Sequence, residues 1–124
     1  LDVTFELGDP VGAAEAFAFK EPTVPEGYVR GEVFQAEDIY TIEFLDAEND
    51  KVIYYNQTAV LESTGLSIDN EAESFAPISI NGHKGYSAEE PTYSYIIWSD
   101  GVSLYRLTGN IPLEKIKSIA ESIQ

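Results

Sequence analysis

Hydrophobic and polar positions alternate along much of this chain, with the period of two that is typical of half-buried strands. The alternation opens the chain over residues 1–8 and returns over 28–35, 39–45 and 51–58. Short runs of turn-forming residues separate the last three stretches. Because short turns force neighbouring strands to run antiparallel, the pattern predicts a meander as the first part of a sheet.

Two more hairpins are predicted further along, each at a pair of residues suited to a tight turn. Asn81-Gly82 and Asp100-Gly101 favour the type I′ turn, in which both central residues have positive φ. Around the second turn, a two-residue loop predicts the pairs Ser99 with Val102, Trp98 with Ser103, and Ile96 with Tyr105. One face of this hairpin then carries Ile96, Trp98, Tyr105 and Leu107.

Two helices are predicted, one near each end. A C-terminal helix begins near Pro112, and its apolar side chains form one stripe with a period near 3.6. The stripe consists of Leu113, Ile116, Ile119, Ala120 and Ile123. We expect it to pack on the Trp98 face of the last hairpin. An N-terminal helix is predicted after Asp9, with Pro10 in its first turn, and Pro22 marks its latest possible end.

The length of 124 residues suits one domain with its own core. We divide it into an N-terminal strand and helix (1–27), a first meander (28–58), an irregular connection with at most one helical turn (59–75), and hairpins with the C-terminal helix (76–124). The predicted class is α+β. It is an antiparallel meander sheet of about six to seven strands, with the N-terminal and C-terminal helices packed on it.

Charge and composition exclude several functions. The net charge of −15 repels phosphate backbones and anionic lipid, so nucleic-acid binding is not expected. The chain has no cysteine and one histidine, which rules out disulfides, thiolate zinc sites and multi-histidine zinc sites within it. No stretch approaches the ~20 apolar residues of a membrane span. Because methionine is absent, we expect Leu1 to follow a removed segment, and any membrane anchor to lie outside this chain.

A series of short motifs marks the second half of the chain. It comprises Trp98, the Asp100-Gly101 turn, Tyr105, "L-x-G-N" over 107–110 and a helix ending "I-A-E-S-I" over 119–123. The stretches "P-E-G-Y" over 25–28 and "I-N-G-H-K-G-Y" over 80–86 belong to the same series. With these motifs the chain resembles a bacterial family of domains of unknown function, over most of its length.

The resemblance implies a location and a context. Such domains occur outside the cytoplasm, at the C-terminal end of membrane-anchored proteins of Gram-positive bacteria. Some of these proteins carry an anti-sigma-factor-like segment before the membrane span, which implies a regulatory or sensory role. The family has no established catalytic residues, so the resemblance implies none for this chain. Pro112 is a departure, because family members tend to have a Ser-like helix cap at that position.

Candidate catalytic and metal-binding residues are few. His83 follows a turn without a nucleophile-elbow motif nearby, so a surface role is favoured over catalysis. Two acidic loops offer oxygen ligands, namely Asp46, Glu48, Asn49 and Asp50, and Asp69, Asn70, Glu71 and Glu73. Neither matches the glycine-containing loop of the common calcium motif. Solvated turn carboxylates are therefore favoured over a weak calcium site, and we predict neither a metal nor a cofactor.

The face opposite Trp98 is the candidate binding site. It carries Tyr93, Tyr95, Ile97, Leu104 and Arg106, together with Val102. Either another layer of the chain covers this face, such as the first helix, or it is an interaction surface, where Tyr and Arg are enriched. Of the two, cover within the chain is favoured. The neighbours Tyr54 and Tyr55 point to opposite faces of their strand, so one of them is expected at the surface.

Three functions remain open at this point. The leading hypothesis is a non-catalytic, extracytoplasmic module that binds a protein, a peptide or a cell-wall component. The alternative is a carrier of an apolar small molecule, which requires an enclosed apolar cavity of at least ~300 Å³ between sheet and helix. The third is a hydrolase, which requires two facing carboxylates in a groove, one of them desolvated.

Overall fold

The computed structural model describes residues 2–6, 17–60, 65–69 and 75–123, and this part of the chain contains nine strands and one helix. The strands are β1 (Asp2–Glu6), β2 (Val29–Gln35), β3 (Ile39–Asp46), β4 (Lys51–Ala59), β5 (Gly65–Asp69), β6 (Ala76–Ile80), β7 (His83–Glu89), β8 (Ser94–Ser99) and β9 (Ser103–Gly109). The helix, α1, spans Leu113–Glu121.

Seven strands form one antiparallel sheet in the order β2-β3-β4-β9-β8-β7-β6. It consists of two meanders, β2 to β4 and β6 to β9, which meet because β4 pairs with β9 from Ile53↔Gly109 to Ala59↔Ser103. The chain thus leaves the middle of the sheet after β4, enters again at the far edge and returns strand by strand. The predicted antiparallel sheet and C-terminal helix are confirmed.

The N-terminal part of the chain differs from the expectation where it is described. β1 pairs with β5 in a separate two-stranded sheet, so the segment 59–75, expected to be irregular, contributes a strand. Most of the predicted N-terminal helix lies outside the described residues, and residues 17–20 are not helical. Phe19 instead stacks on Tyr40, with ring centroids 5.0 Å apart.

The core lies between α1 and the sheet. Trp98 is only 2% exposed, and its ring stacks on Tyr105 with centroids 5.0 Å apart. The helix packs on β6, β7, β8 and β9, as predicted for the Trp98 face. Among the most deeply buried side chains are Ile42, Ile53, Tyr55, Ile96, Leu107 and Ile116. Since each strand alternates between this face and the other, the period of two in the sequence determines which residues share the core face.

Side chains from the sheet hold both ends of α1. At its beginning Pro112 provides no side-chain cap, and the Glu89 carboxylate accepts the Leu113 N–H at 2.8 Å. A carboxylate is favourable there because the helix dipole is positive at this end. At the other end, the Asn81 amide donates to the carbonyls of Glu121 and Ile123 at 3.1 and 2.9 Å.

The two predicted turns have different outcomes. Asn81 and Gly82 both have positive φ, 52° and 85°, as a type I′ turn requires. The second turn is centred one residue later than predicted, on Gly101 and Val102, because the Asp100 N–H donates to the Ser103 carbonyl at 3.3 Å. Of these two central residues only Gly101 has positive φ. Trp98 therefore pairs with Tyr105, and Ile96 pairs with Leu107. The predicted pairing was wrong, but the predicted face was right, since a shift of two in the pairing keeps every side chain on its side.

A buried glutamine connects the N-terminal segment to the sheet. Gln57 of β4 is fully buried. Its amide donates to the Ala18 carbonyl at 2.8 Å and to the Ser103 hydroxyl at 3.0 Å. Its oxygen accepts the Lys20 N–H at 2.8 Å. The Gln57 side chain thus bonds the backbone of residues 18–20 in the way that a neighbouring strand would, and its amide nitrogen and oxygen both have partners.

Several motif residues have clear structural roles. Asn110 accepts the Val52 N–H at 2.9 Å and donates to the Asp50 carbonyl at 2.9 Å, which fixes the loop between β3 and β4. Gly85 lies opposite Trp98, and a Cβ at this position would stand 2.7 Å from the Trp98 Cβ. Glycine is therefore required there for β7 and β8 to approach each other. These motif positions are explained by the fold.

Candidate binding surface

The side of the seven-stranded sheet that faces away from α1 is called the open face here. It consists of the outward side chains of β2, β3, β4, β9 and β8. The pairings align Tyr95 of β8, Thr108 of β9, Tyr54 of β4 and Glu43 of β3 in one row across it. The row therefore combines two tyrosines with polar neighbours on a surface that no described helix covers.

The structure places the predicted binding residues on this side of the sheet. Tyr93 is 43% exposed and stacks on Tyr95, with ring centroids 6.4 Å apart. The Arg106 guanidinium lies 6.0 Å from the Tyr95 ring centroid and is itself exposed. Leu104 is half-buried. A cation that stacks on an exposed aromatic pair is a common composition of protein-binding surfaces.

Ile97 differs from the other four predicted residues, because it is only 5% exposed. Its cross-strand neighbour Tyr86 is also buried, and so is Ala88 beside it. Phe75, which precedes β6, stacks on Tyr86 with centroids 5.2 Å apart. The β7 side of this face is thus covered within the chain, whereas the β4 side is exposed.

Sequence reasoning missed the part of the open face that β2 contributes. Phe34 is 60% exposed and Val29 is exposed as well, and both lie on this side of the edge strand. Tyr54 is 51% exposed whereas Tyr55 is fully buried, as expected from their alternation. The distant residues Tyr54 and Tyr95 come together only because β4 pairs with β9, and no local pattern in the sequence indicates that pairing.

A hollow of about 520 Å³ lies at the other side of the sheet, beside the end of α1. It is open to solvent and lined by Lys20, Asn81, His83, Trp98, Asp100, Tyr105 and Ile123. Trp98 presents little surface to this hollow, because its ring is almost completely buried. Among the described residues of the lining, Asp100 is the one carboxylate, whereas the hydrolase considered above requires a facing pair of acids.

The hydrogen bonds of Asp100 identify its role in the turn. One carboxylate oxygen accepts the N–H groups of Val102 and Ser103 at 2.9 and 2.8 Å. The other accepts the Tyr105 hydroxyl at 3.0 Å and lies 4.0 Å from the Lys20 ammonium. Burial raises the pKa of Asp100, but these donors and the nearby cation outweigh it, so the pKa is lowered overall. Burial and the neighbouring carboxylate raise the pKa of Tyr105, which therefore stays a donor.

Other hollows and acidic loops fit a ligand site less well. Hollows of about 320 and 450 Å³ flank the start of α1, and both are open to solvent, unlike the enclosed cavity expected of a carrier. No group of three or more potential metal ligands occurs among the residues the structure describes. Of the second acidic loop only Asp69 lies within them. No helix in the described part of the chain is long and apolar enough to cross a membrane.

The fold and the open face define a small α+β domain with an exposed aromatic sheet surface. Residues 20–123 match the family described as Domain of unknown function (DUF4367), and the chain belongs to this family. No curated protein and no solved structure matched the chain. The match covers the whole seven-stranded sheet and α1, so the resemblance noted from the motifs is confirmed at the level of a domain of unknown function.

Proposed function

We propose that this chain is a non-catalytic binding module that holds a protein, peptide or cell-wall partner on the open face of its sheet. The observation that carries the proposal is the exposure of Tyr54 and Tyr93, at 51% and 43%, on a face without a covering helix in the described chain. Removing a large aromatic side chain from water is favourable, so a partner that covers these rings gains binding free energy.

The composition of the open face supports a macromolecular partner over a small molecule. Tyrosine offers a large contact area with few rotatable bonds, and arginine adds directed hydrogen bonds. Arg106 already lies over the Tyr95 ring, so its side chain loses less conformational entropy when a partner binds. The three hollows described above are open to solvent, which suits a partner that contacts an extended area.

We further propose that the module acts outside the cytoplasm, as part of a membrane-anchored regulatory or sensory protein. The support for this location is the resemblance to extracytoplasmic C-terminal domains. Protease treatment of intact cells that produce the whole protein tests it. Removal of this domain from the outside, with a cytoplasmic control protein left intact, is the expected result, and protection until the cells are lysed contradicts the location.

The binding function is tested by photo-cross-linking in those cells. A benzophenone amino acid at Tyr54 or Tyr93 is expected to give one discrete adduct. The matched control is the same amino acid at Lys117, an exposed position of α1 on the other side of the domain. A benzophenone reacts with whatever C–H bonds lie against it, so an adduct specific to the open face identifies a partner held there.

Two results would contradict the proposal. The first is an equal pattern of adducts from Tyr54 and Lys117, which indicates random encounters. The second is the absence of any adduct from either open-face position in cells in which the protein is functional. A further variant, Arg106→Glu combined with the probe at Tyr54, is expected to weaken the adduct without affecting folding, because Arg106 is exposed.

A further inference from the structure

Strand β2 forms one edge of the seven-stranded sheet, and all seven of its residues are exposed. Three large apolar side chains stand on it, Val29, Val33 and Phe34. The opposite edge, β6, is shorter, carries Pro77 and buries Ile80. Proline and short length are usual protections against unwanted strand pairing. The β2 edge has neither, so it is the edge that is able to accept another strand.

The hydrogen-bond pattern shows which backbone groups of β2 are free. The Ala36 N–H donates to the Ile39 carbonyl at 2.9 Å, so these two residues form a hydrogen-bonded pair. Bonded and non-bonded pairs alternate along an antiparallel ladder. Phe34 with Thr41 is therefore the next bonded pair, whereas Val33 and Gln35 direct their N–H and C=O groups away from β3. No described strand lies on that outer side.

A bulge limits the free edge on its N-terminal side. The register shifts between Arg30 and Val33, so one extra residue of β2 lies opposite β3 there. Beyond the bulge the ladder is regular up to Gln35. The straight part, Val33 to Gln35, offers two donors and two acceptors to a new strand, with Val33 and Phe34 pointing to opposite faces.

The chain segment that contains this edge is mostly acidic. Residues 21–50 contain nine acidic residues and one basic residue, Arg30. Arg30 pairs with Glu21 at 2.7 Å, so the eight other carboxylates of this segment have no cation within ion-pair distance in the described chain. A second copy of the chain would bring the same carboxylates together, which opposes pairing of two β2 edges.

We propose that β2 binds an extended, basic peptide segment of a partner protein, which adds to the sheet as an antiparallel or parallel eighth strand. Backbone bonds to Val33 and Gln35 hold the segment, apolar side chains contact Val33 and Phe34, and Lys or Arg side chains face the carboxylates of residues 26–50. This inference rests on the proposed binding function and names a partner class for it. Its backbone contacts lie at the β2 edge, two strands away from Tyr54 of β4.

The probe is a short peptide of alternating lysine and valine, with a peptide of alternating glutamate and valine as its control. Binding to the 124-residue chain is measured by NMR titration. We expect the lysine peptide to bind at least about tenfold more tightly than the glutamate peptide. Its affinity is expected to fall as the salt concentration rises, because the attraction is between exposed charges. The amide hydrogens of Val33 and Gln35 are expected to exchange more slowly in its presence, while that of Phe34 is already protected.

A matched pair of variants separates backbone pairing from simple charge attraction. Gln35→Pro removes an outward N–H without removing a bond to β3, and edge strands tolerate proline. It is expected to weaken binding about tenfold, whereas Gln35→Ala stays within about twofold of the original chain. Fluorescence of the buried Trp98 reports whether each variant remains folded.

Unchanged exchange at Val33 and Gln35 in the original chain, with the peptide bound, overturns the proposal whether or not Gln35→Pro folds. Equal binding of the two peptides also overturns it. A third result would also overturn it. If the chain forms dimers as its concentration rises, and Gln35→Pro remains a monomer, then the strand that β2 accepts belongs to a second copy of the chain and not to a basic peptide. A negative result of the peptide titration does not change the adducts expected from Tyr54. The outcomes of the two experiments therefore distinguish failure of this inference from failure of the proposed function.

Discussion

The two faces of the seven-stranded sheet are built from the same alternating strands and have opposite surroundings. On one face α1 and residues 17–28 cover Trp98, Tyr55 and their neighbours, and these side chains are buried completely or almost completely. On the other face Tyr54 and Tyr93 remain about half exposed. An aromatic side chain in a strand is thus a core residue or a surface residue according to what the rest of the chain places above it.

The largest expected effect comes from a break in the covered face. Trp98→Ala removes the ring that stacks on Tyr105 beneath α1. We expect the free energy of unfolding to fall by about 3–5 kcal/mol, because a buried aromatic ring is lost and a cavity is left. Urea unfolding followed by circular dichroism measures it. A loss below about 1 kcal/mol would show that α1 does not depend on this contact.

Gln57→Ala tests the polar part of the covered face. It removes the partners of Ala18, Lys20 and Ser103 together. The expected loss is about 1–3 kcal/mol, since buried groups are left without hydrogen bonds. Hydrogen exchange at the Lys20 amide measures the local effect and is expected to become faster. Asn56→Ala on the same strand is the control, because its side chain is only partly buried and lies on the open face.

Asp100→Asn tests the turn beside the hollow through its pH dependence. A carboxyl whose pKa is lower in the folded chain than in the unfolded chain stabilises the fold above its ordinary pKa, and this contribution is lost as the pH falls through the folded pKa. The original chain is expected to be about 1 kcal/mol more stable than the variant at neutral pH. The difference should shrink below about pH 4, in unfolding curves recorded from neutral to acidic pH. A difference independent of pH would contradict the role of the charge.

The smallest effect on stability is expected on the open face. Tyr54→Thr removes a ring that is half exposed and keeps a residue suited to a strand. We expect the free energy of unfolding to change by less than about 0.5 kcal/mol, while the adduct formed from Tyr93 in the cross-linking experiment weakens. A loss comparable to that of Trp98→Ala would show that the open face is a second core, and would remove the contrast between the faces.

Much of the fold was predictable because it depends on local patterns. The strands of both meanders, the Asn81-Gly82 turn and the apolar stripe of α1 follow from periodicity and turn chemistry, and each agrees with the structure. The register of the last hairpin was not predicted correctly, because Asp100 accepts hydrogen bonds from within the turn and so lies before its two central residues. Side-chain bonds of this kind compete with the usual turn signal.

The candidate site was predictable only in part. Tyr93, Tyr95 and Arg106 could be assigned to one face from alternation alone, but the burial of Ile97 depends on what covers its part of the sheet. The contribution of Tyr54 and Phe34 depends on the order of strands across the sheet. Contacts between residues that are distant in sequence leave no local periodic signal, so a single sequence does not reveal them.

The sequence by itself determined which side chains share a face, since alternation along a strand and the stripe of a helix are properties of the local backbone. It also determined the acidic charge that surrounds β2. Only the tertiary structure decided which face is covered, which strands meet in the middle and which edge stays free. These depend on where α1 and the second meander pack, and packing is a property of distant segments brought together.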